Sequence, residues 1–315
     1  MPRWPAALTE AGITDPTLRR AYDALRDQVR KYALHQYLAA RLLLPPQLHA
    51  SVVAMVAFMH ETDERIDAGE VGARKEALSS WHREVRGALD AVPGPGAPAS
   101  ALLRALADTS RRCPHTAGRV HAFLDGALVE AEWTGFDGEA DYQAYIDSYS
   151  LPALMLTMSL IAPAPKAGVD ESFLHGCRAL IEGWQRIDFL ADLAEDAEQG
   201  RIGIAREELD RYGLTVEDLR NKSQACVPAL GRLVDAQADL AETALTACRG
   251  LPDLVDAPYR PFLKALISLQ VLHLQAVRRK GGSLLRGGAR PSVPAALRIL
   301  AQQYRAARSV RRPSR

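Results

Sequence analysis

Between Trp184 and Arg201 the chain carries Asp188, Asp192, Glu195 and Asp196, acids at offsets 0, 4, 7 and 8. On an α-helix those offsets share one stripe. The other positions of the stretch include Trp184, Ile187, Phe189, Leu190 and Leu193, so the carboxylates form a seam on a helix otherwise suited to burial. Like charges at helical neighbours cost roughly 0.2–0.5 kcal/mol per pair even when exposed. No Lys or Arg lies between Arg186 and Arg201 to relieve them, and a hard divalent cation would. An earlier stretch, His60 to Asp67, repeats the theme with Asp63, Glu64 and Asp67, again placing two Asp residues four apart. Two facing helices of this kind make a carboxylate cage. Taken alone, each cluster is also compatible with a solvated acidic face, and the first with a charged helix end.

The rest of the chain supports an all-α fold. Ala and Leu dominate, β-branched runs are few, and apolar residues recur at three and four. Asp15-Pro16 reads as an N-cap and first-turn proline, and Pro45-Pro46 breaks the chain before a helix that runs into the first acidic cluster. Further helices are expected over about 74–89, 99–109, 116–133, 141–161, 170–199, 206–212, 215–228, 228–248, 256–280 and 293–308. The internal Pro152 costs about 3 kcal/mol unless accommodated, so a kink or break is expected there. Val92 to Pro98, rich in Pro and Gly, is the best linker. It is not expected to separate domains, because the two acidic clusters are useful only together. The expectation is one domain over 1–307 and a basic, disordered tail over 308–315.

Composition excludes more than it selects. A net charge of +1 over 315 residues gives no general case for nucleic acid or for an anionic membrane. Cys113, Cys177, Cys226 and Cys248 lack metal-ligand spacing and read as reduced thiols. The start of the chain does not read as a signal peptide, so none is expected there, and the most apolar run, Leu151 to Ala162, is only long enough for a buried helix. A cytoplasmic protein is expected, with any membrane contact peripheral. Oligomeric state is not readable from the sequence.

Carboxylate clusters without a His or Cys set favour Mg²⁺, which keeps several waters and is usually completed by substrate phosphates. The ligand that fits is a diphosphate, and an allylic one would ionise to a carbocation. Aromatic faces must then line a dry cavity. Phe58, Tyr145, Tyr149, Trp184 and Phe189 are the candidates.

The chain resembles the squalene/phytoene synthase family of head-to-head isoprenoid synthases over nearly its whole length. "AGITDPTLRRAY" and "YLAARLLLPP" look like the family's opening, "TDERID" falls on its first aspartate-rich motif, and "DFLADLAEDAEQGRI" on its second. "VRRKGGSLLRGGAR" resembles its C-terminal helix end. The resemblance implies a single all-α isoprenoid synthase fold around a central cavity, Mg²⁺ and a prenyl diphosphate. Asp63 and Asp67 match the first metal motif, with Glu64 where Asp is usual. Asp192 and Asp196 match the second, Asp188 stands where the family commonly has Asn, and Glu195 fits. Gly200 and Arg201 keep the family's spacing, and Arg201 is carried over as substrate-binding.

Several family cations are missing. The family's Tyr and Arg before the first motif are Val56 and His60, its basic residues after "LLP" are Leu48 and His49, and its Arg before the second motif's central Asp is Ala191. A small Ser/Thr site is replaced by His35 or Gln36. With these cations missing, the expectation is one prenyl diphosphate donor and a different, small-molecule second partner. Resemblance to divergent members of the family implies an aromatic or heteroaromatic acceptor, that is, a prenyltransferase of secondary metabolism. His60, Tyr145, Asp147, His35 and Glu130 are candidate acceptor-binding residues or bases, each also readable as a satisfied core polar group. Head-to-head squalene or phytoene synthesis, terpene cyclisation and a non-catalytic lipid-binding or partner role are the alternatives.

Overall fold

The computed structural model describes residues 3–67, 69–91, 100–163 and 168–311. Among them no strand occurs. The first half contains α1 (Trp4–Glu10), α2 (Pro16–Tyr32), α3 (Leu34–Leu43), α4 (Pro46–Asp67), α5 (Val71–Asp90), α6 (Ala101–Arg112), α7 (His115–Glu132), α8 (Glu139–Tyr145) and α9 (Leu151–Met158). The second half contains α10 (Val169–Ala191), α11 (Leu193–Gln199), α12 (Arg206–Arg211), α13 (Val216–Arg220), α14 (Val227–Ala247), α15 (Arg260–Lys280) and α16 (Val293–Val310).

Two helices occupy the middle. From His49 to Phe58 every residue of α4 is buried, and a helix apolar all round must be core. It packs against α1, α2, α3, α5, α6, α7 and α9. The second central helix, α10, packs against α9, α14 and α15. Each carries its acids toward its C-terminal end, and α9 touches both. Tyr22 pins α2 to α6 from within the core, its buried hydroxyl lying 3.1 Å from Ala105 O and 2.9 Å from both Asp108 Oδ2 and Thr109 Oγ1.

Most boundaries fall where the sequence places them. The Asp15 side chain accepts from Leu18 N at 2.7 Å to cap α2, and Pro45-Pro46 separates α3 from α4. The expected linker at 92–98 lies outside the described residues. The last helix continues to Val310, past the expected start of a tail at 308, and residues 312–315 lie outside the described residues. The four cysteines are free thiols. Among the described residues no helix is long and apolar enough to cross a membrane.

Two long helices expected from the sequence are each divided. The break at Pro152 takes the form of a π-helical turn, Ile146–Ser150, with Leu151 N bonded back to Ile146 O. Proline has no N–H for the carbonyl four residues earlier, which is that of Ser148. That carbonyl lies against Gly126 of α7, where any Cβ would overlap it. The second division is at Asp192, whose φ of −97° and ψ of 4° separate α10 from α11. Ala191 O accepts instead from Ala289 N at 3.3 Å. Gly288 allows this approach, since a Cβ there would sit 2.5 Å from Ala191 O. The segment after α15 is thereby laid against the second acidic motif.

Candidate active site

Asp63 projects from the penultimate turn of α4, and the Tyr149 hydroxyl donates to its Oδ1 at 3.3 Å. Burial, opposed by that hydrogen bond and reinforced by the charges of Asp67 and Glu130, pushes its pKa up to about 7. Glu130 of α7 is itself raised by burial, with Tyr145 hydrogen-bonded to it. Arg201 Nη2 donates to Glu130 Oε1 at 3.0 Å, and the guanidinium lies over Trp133 at 5.1 Å. Glu130 Oε2 is buried without a protein partner. One carboxylate thus joins the first stripe to the end of the second motif.

On the other side, burial and the neighbouring Asp192 charge push Asp188 up to about 7, against a hydrogen bond from Trp184. Burial also raises Asp196 to about 7, with Asp192 and Glu195 adding to it and Arg201 opposing. His273 of α15 holds the joint, with Nε2 3.1 Å from Ala289 O and Nδ1 3.7 Å from Asp188 Oδ1. A carbonyl can only accept, so Nε2 is the donor. Glu195 is exposed on a groove of about 540 Å³ that also meets Asp192, Lys222, Arg286 and Arg290.

An aromatic wall spans the gap. The Tyr149 ring packs on Tyr145 at 5.5 Å, Tyr145 on Phe189 at 6.1 Å and on Trp133 at 5.6 Å, and Trp133 on Phe189 at 5.5 Å. Phe136 closes the cluster, 5.4 Å from Tyr145. Of the residues expected to line a cavity, Tyr145, Tyr149 and Phe189 belong to this wall. Phe58 lies deeper, fully buried between Trp81 and Phe123. Trp184 is half-buried one turn before Asp188.

Other expected residues sit elsewhere. His60 stacks on Tyr32 with ring centres 3.6 Å apart, and its Nε2 is 3.7 Å from Glu64 Oε1. Both face a hollow of about 590 Å³ between α2, α4, α5 and α6. Asp147, considered as a base, is exposed and held by Arg178 Nε at 2.8 Å. The π turn rotates it away from the side carrying Tyr149. His35 is exposed on α3. Among the described residues, no three His, Cys, Asp or Glu side chains gather closely enough to hold a metal on their own.

Trp133, Phe136 and His273 escaped the sequence reading. The two rings flank a loop, where periodicity is silent, and His273 is about eighty residues from the acid it approaches.

A bundle of helices whose two central members carry acidic stripes, joined by aromatic faces, defines the all-α isoprenoid synthase fold, the fold of prenyl diphosphate chemistry. This chain belongs to the squalene/phytoene synthase family, whose model matches residues 5–296. The bifunctional protein CrtB/UppS of Streptomyces coelicolor is 30% identical over 273 residues, covering 84% of this chain and 45% of that protein. The phytoene synthase of Mycobacterium tuberculosis is 28% identical over 197 residues, covering 62% of this chain and 61% of the other. The match thus spans less than two thirds of either relative. Among solved structures, squalene synthase HpnC from Alicyclobacillus acidocaldarius superposes with a TM-score of 0.74 at 21% identity, over 86% of this chain and 98% of that one. A dehydrosqualene synthase superposes at 0.77 and 20% identity, over 93% and 98%.

Proposed function

We propose that this chain joins two prenyl diphosphates head to head, as a squalene- or phytoene-type synthase. The observation that carries the reading is the run of rings from Tyr149, which donates to Asp63, through Tyr145 to Phe189, the residue that follows Asp188 on α10. It places carboxylates at either end of a run of aromatic faces. Cleavage of the C–O bond of one diphosphate leaves an allylic cation that such faces favour. The double bond of the second prenyl chain attacks it, a C–C bond forms and a proton leaves; departure of the second diphosphate with loss of another proton then gives the C30 or C40 hydrocarbon.

Mg²⁺ fits these residues. The candidate donors are all carboxylate oxygens, the hard ligands this cation prefers, and burial and like charges raise Asp63, Asp188 and Asp196 to about 7. Asp63 and Asp67 would hold it on one side and Asp188, Asp192 and Asp196 on the other, with waters and diphosphate oxygens completing each site. When bound, the metal neutralises the charge of the leaving diphosphate.

Transfer to an aromatic acceptor is the second reading, and the cation supply favours it. His49 donates to Leu44 O at 2.8 Å from Nε2, contacts Arg41 through Nδ1, and burial holds its pKa near 4, so it carries no charge for a phosphate. Arg201 is engaged by Glu130, and position 191 is alanine. A mass-spectrometric product screen separates the readings: C15 and C20 diphosphates with Mg²⁺, each with and without aromatic acceptors. A C30 or C40 hydrocarbon from diphosphate alone supports the synthase. A mass of acceptor plus prenyl supports the second reading and overturns the first. A hydrocarbon of unchanged carbon number overturns both in favour of a cyclase.

A further inference from the structure

The near-neutral total charge conceals a segregation. No Asp or Glu follows Asp256, whereas thirteen Lys and Arg do, so the residues before that point carry a compensating net negative charge. A second acid-free stretch runs from Gln28 to His60 and contains all of α3. The two stretches meet, because α16 packs against α3 as well as α15.

The same two helices expose apolar side chains. Of the eight large apolar residues exposed among those described, five lie on α3 and α16. On α3 these are Leu34 at 44% and Leu38 at 37%, one helical turn apart. On α16 they are Val293 at 68%, Leu297 at 60% and Val310 at 43%. Val293, Leu297 and Ala301, four apart, form one exposed stripe, and Arg298, Arg305 and Arg308 are exposed beside it and further along the helix. Of all α16 residues only Ala307 is buried. A core-facing amphipathic helix buries its apolar stripe, but α16 leaves part of its own in solvent and surrounds it with arginine.

We propose that the outer face of α3 and α16 docks on the surface of an anionic lipid bilayer. The occupant follows from charge complementarity. Apolar side chains enter the boundary of the acyl region while unopposed cations meet acidic headgroups, and this pair of signals makes interfacial attachment stable. A self-associating patch has to match its own surface, and an acid-free, arginine-rich face repels a copy of itself. Lys and Arg near a membrane surface act within about a Debye length, so attachment weakens with salt. The docking reading stands independently of which prenyl reaction the chain performs.

Co-sedimentation of the full chain with vesicles tests this without any activity readout. The lipids are phosphatidylcholine alone or mixed with phosphatidylglycerol. Wild type should partition onto the mixed vesicles, only weakly onto phosphatidylcholine, and less as salt is raised. Leu297→Asp should lower partitioning about tenfold, and Arg305→Glu together with Arg308→Glu should lower it on mixed vesicles alone. Leu240→Asp changes an exposed apolar residue on α14 and should leave partitioning unchanged. All four positions are exposed, and circular dichroism melting verifies that each variant folds. Failure of wild type to bind mixed vesicles overturns the proposal, as does equal loss in Leu240→Asp. A wild-type dimer that Leu297→Asp converts to monomer would assign the face to self-association and also overturn it.

Discussion

Arg201 Nη2 lies 3.0 Å from Glu130 Oε1, tying the turn after α11 to the middle of the molecule. The pair keeps one acid of the site compensated where Asp63 and Asp67 crowd it. Removing one partner of a buried pair leaves the other's desolvation unmet. Arg201 is 31% exposed at its side chain, so solvent offsets part of the cost. Arg201→Ala should lower unfolding free energy by about 2 kcal/mol and abolish turnover. Glu130→Gln keeps an acceptor for Arg201 and should stay within about 1 kcal/mol of wild type. Urea titration of both variants checks the pair, and equal losses would show that Arg201 answers the charge at Glu130 and not merely its acceptor oxygen.

The close approach of Gly126 to the Ser148 carbonyl makes a second test. A methyl group at 126 must push the π turn outward, and overpacking of this kind costs about 1–3 kcal/mol. The turn carries Tyr149, so Gly126→Ala should also loosen the hydrogen bond to Asp63 and lower kcat. Turnover at the wild-type rate in a folded Gly126→Ala protein would separate the π turn from the chemistry.

These two contacts mark where the sequence was legible. Offsets within one helix exposed the acidic stripes, the caps and the core of α4, because the physics is local. Pro152 announced a break but not its form, since a π turn depends on whether a neighbouring helix supplies a glycine to receive the freed carbonyl. The seam of acids looked continuous through Asp192, yet the helix divides there because Ala289 N takes the carbonyl of Ala191. His60 and Asp147 carried plausible chemistry, but their direction was set by Tyr32 and Arg178, partners remote in sequence.

The carboxylates give the metal-free protein a defined pH response. Asp63, Asp188 and Asp196 have folded pKa values of about 7, above the unfolded value of about 4. Between those values the folded chain binds more protons than the unfolded one, so stability falls as pH rises from about 4 through about 7 and levels off about one unit above it. His49, lowered to about 4 by burial, acts in the opposite direction only below its unfolded value of about 6.5. From about pH 6.5 to 8 the carboxylates decide. Thermal melts in chelator should show Tm falling across that window, Asp188→Asn should flatten the slope and raise Tm at its upper end, and added Mg²⁺ should raise wild-type Tm there. An unchanged slope in Asp188→Asn would remove that residue from the set.

Asp63 and Asp147 offer the sharpest contrast, since the sequence reading makes Asp63 a metal ligand and Asp147 a candidate base. Asp63 faces Asp67, Glu130 and the Tyr149 hydroxyl, whereas Asp147 is exposed and paired with Arg178. An exposed pair contributes about 0–1 kcal/mol. Asp147→Ala should therefore leave turnover within about twofold of wild type and stability within about 1 kcal/mol. Asp63→Ala, and Asp192→Ala on the opposite stripe, should each abolish turnover while helicity is retained. Circular dichroism and single-turnover assays on the three variants decide it. Activity surviving in Asp63→Ala or Asp192→Ala would break the link between the stripes and the diphosphate. Activity lost in Asp147→Ala would mean that the surface of the π turn reaches the substrate during the reaction.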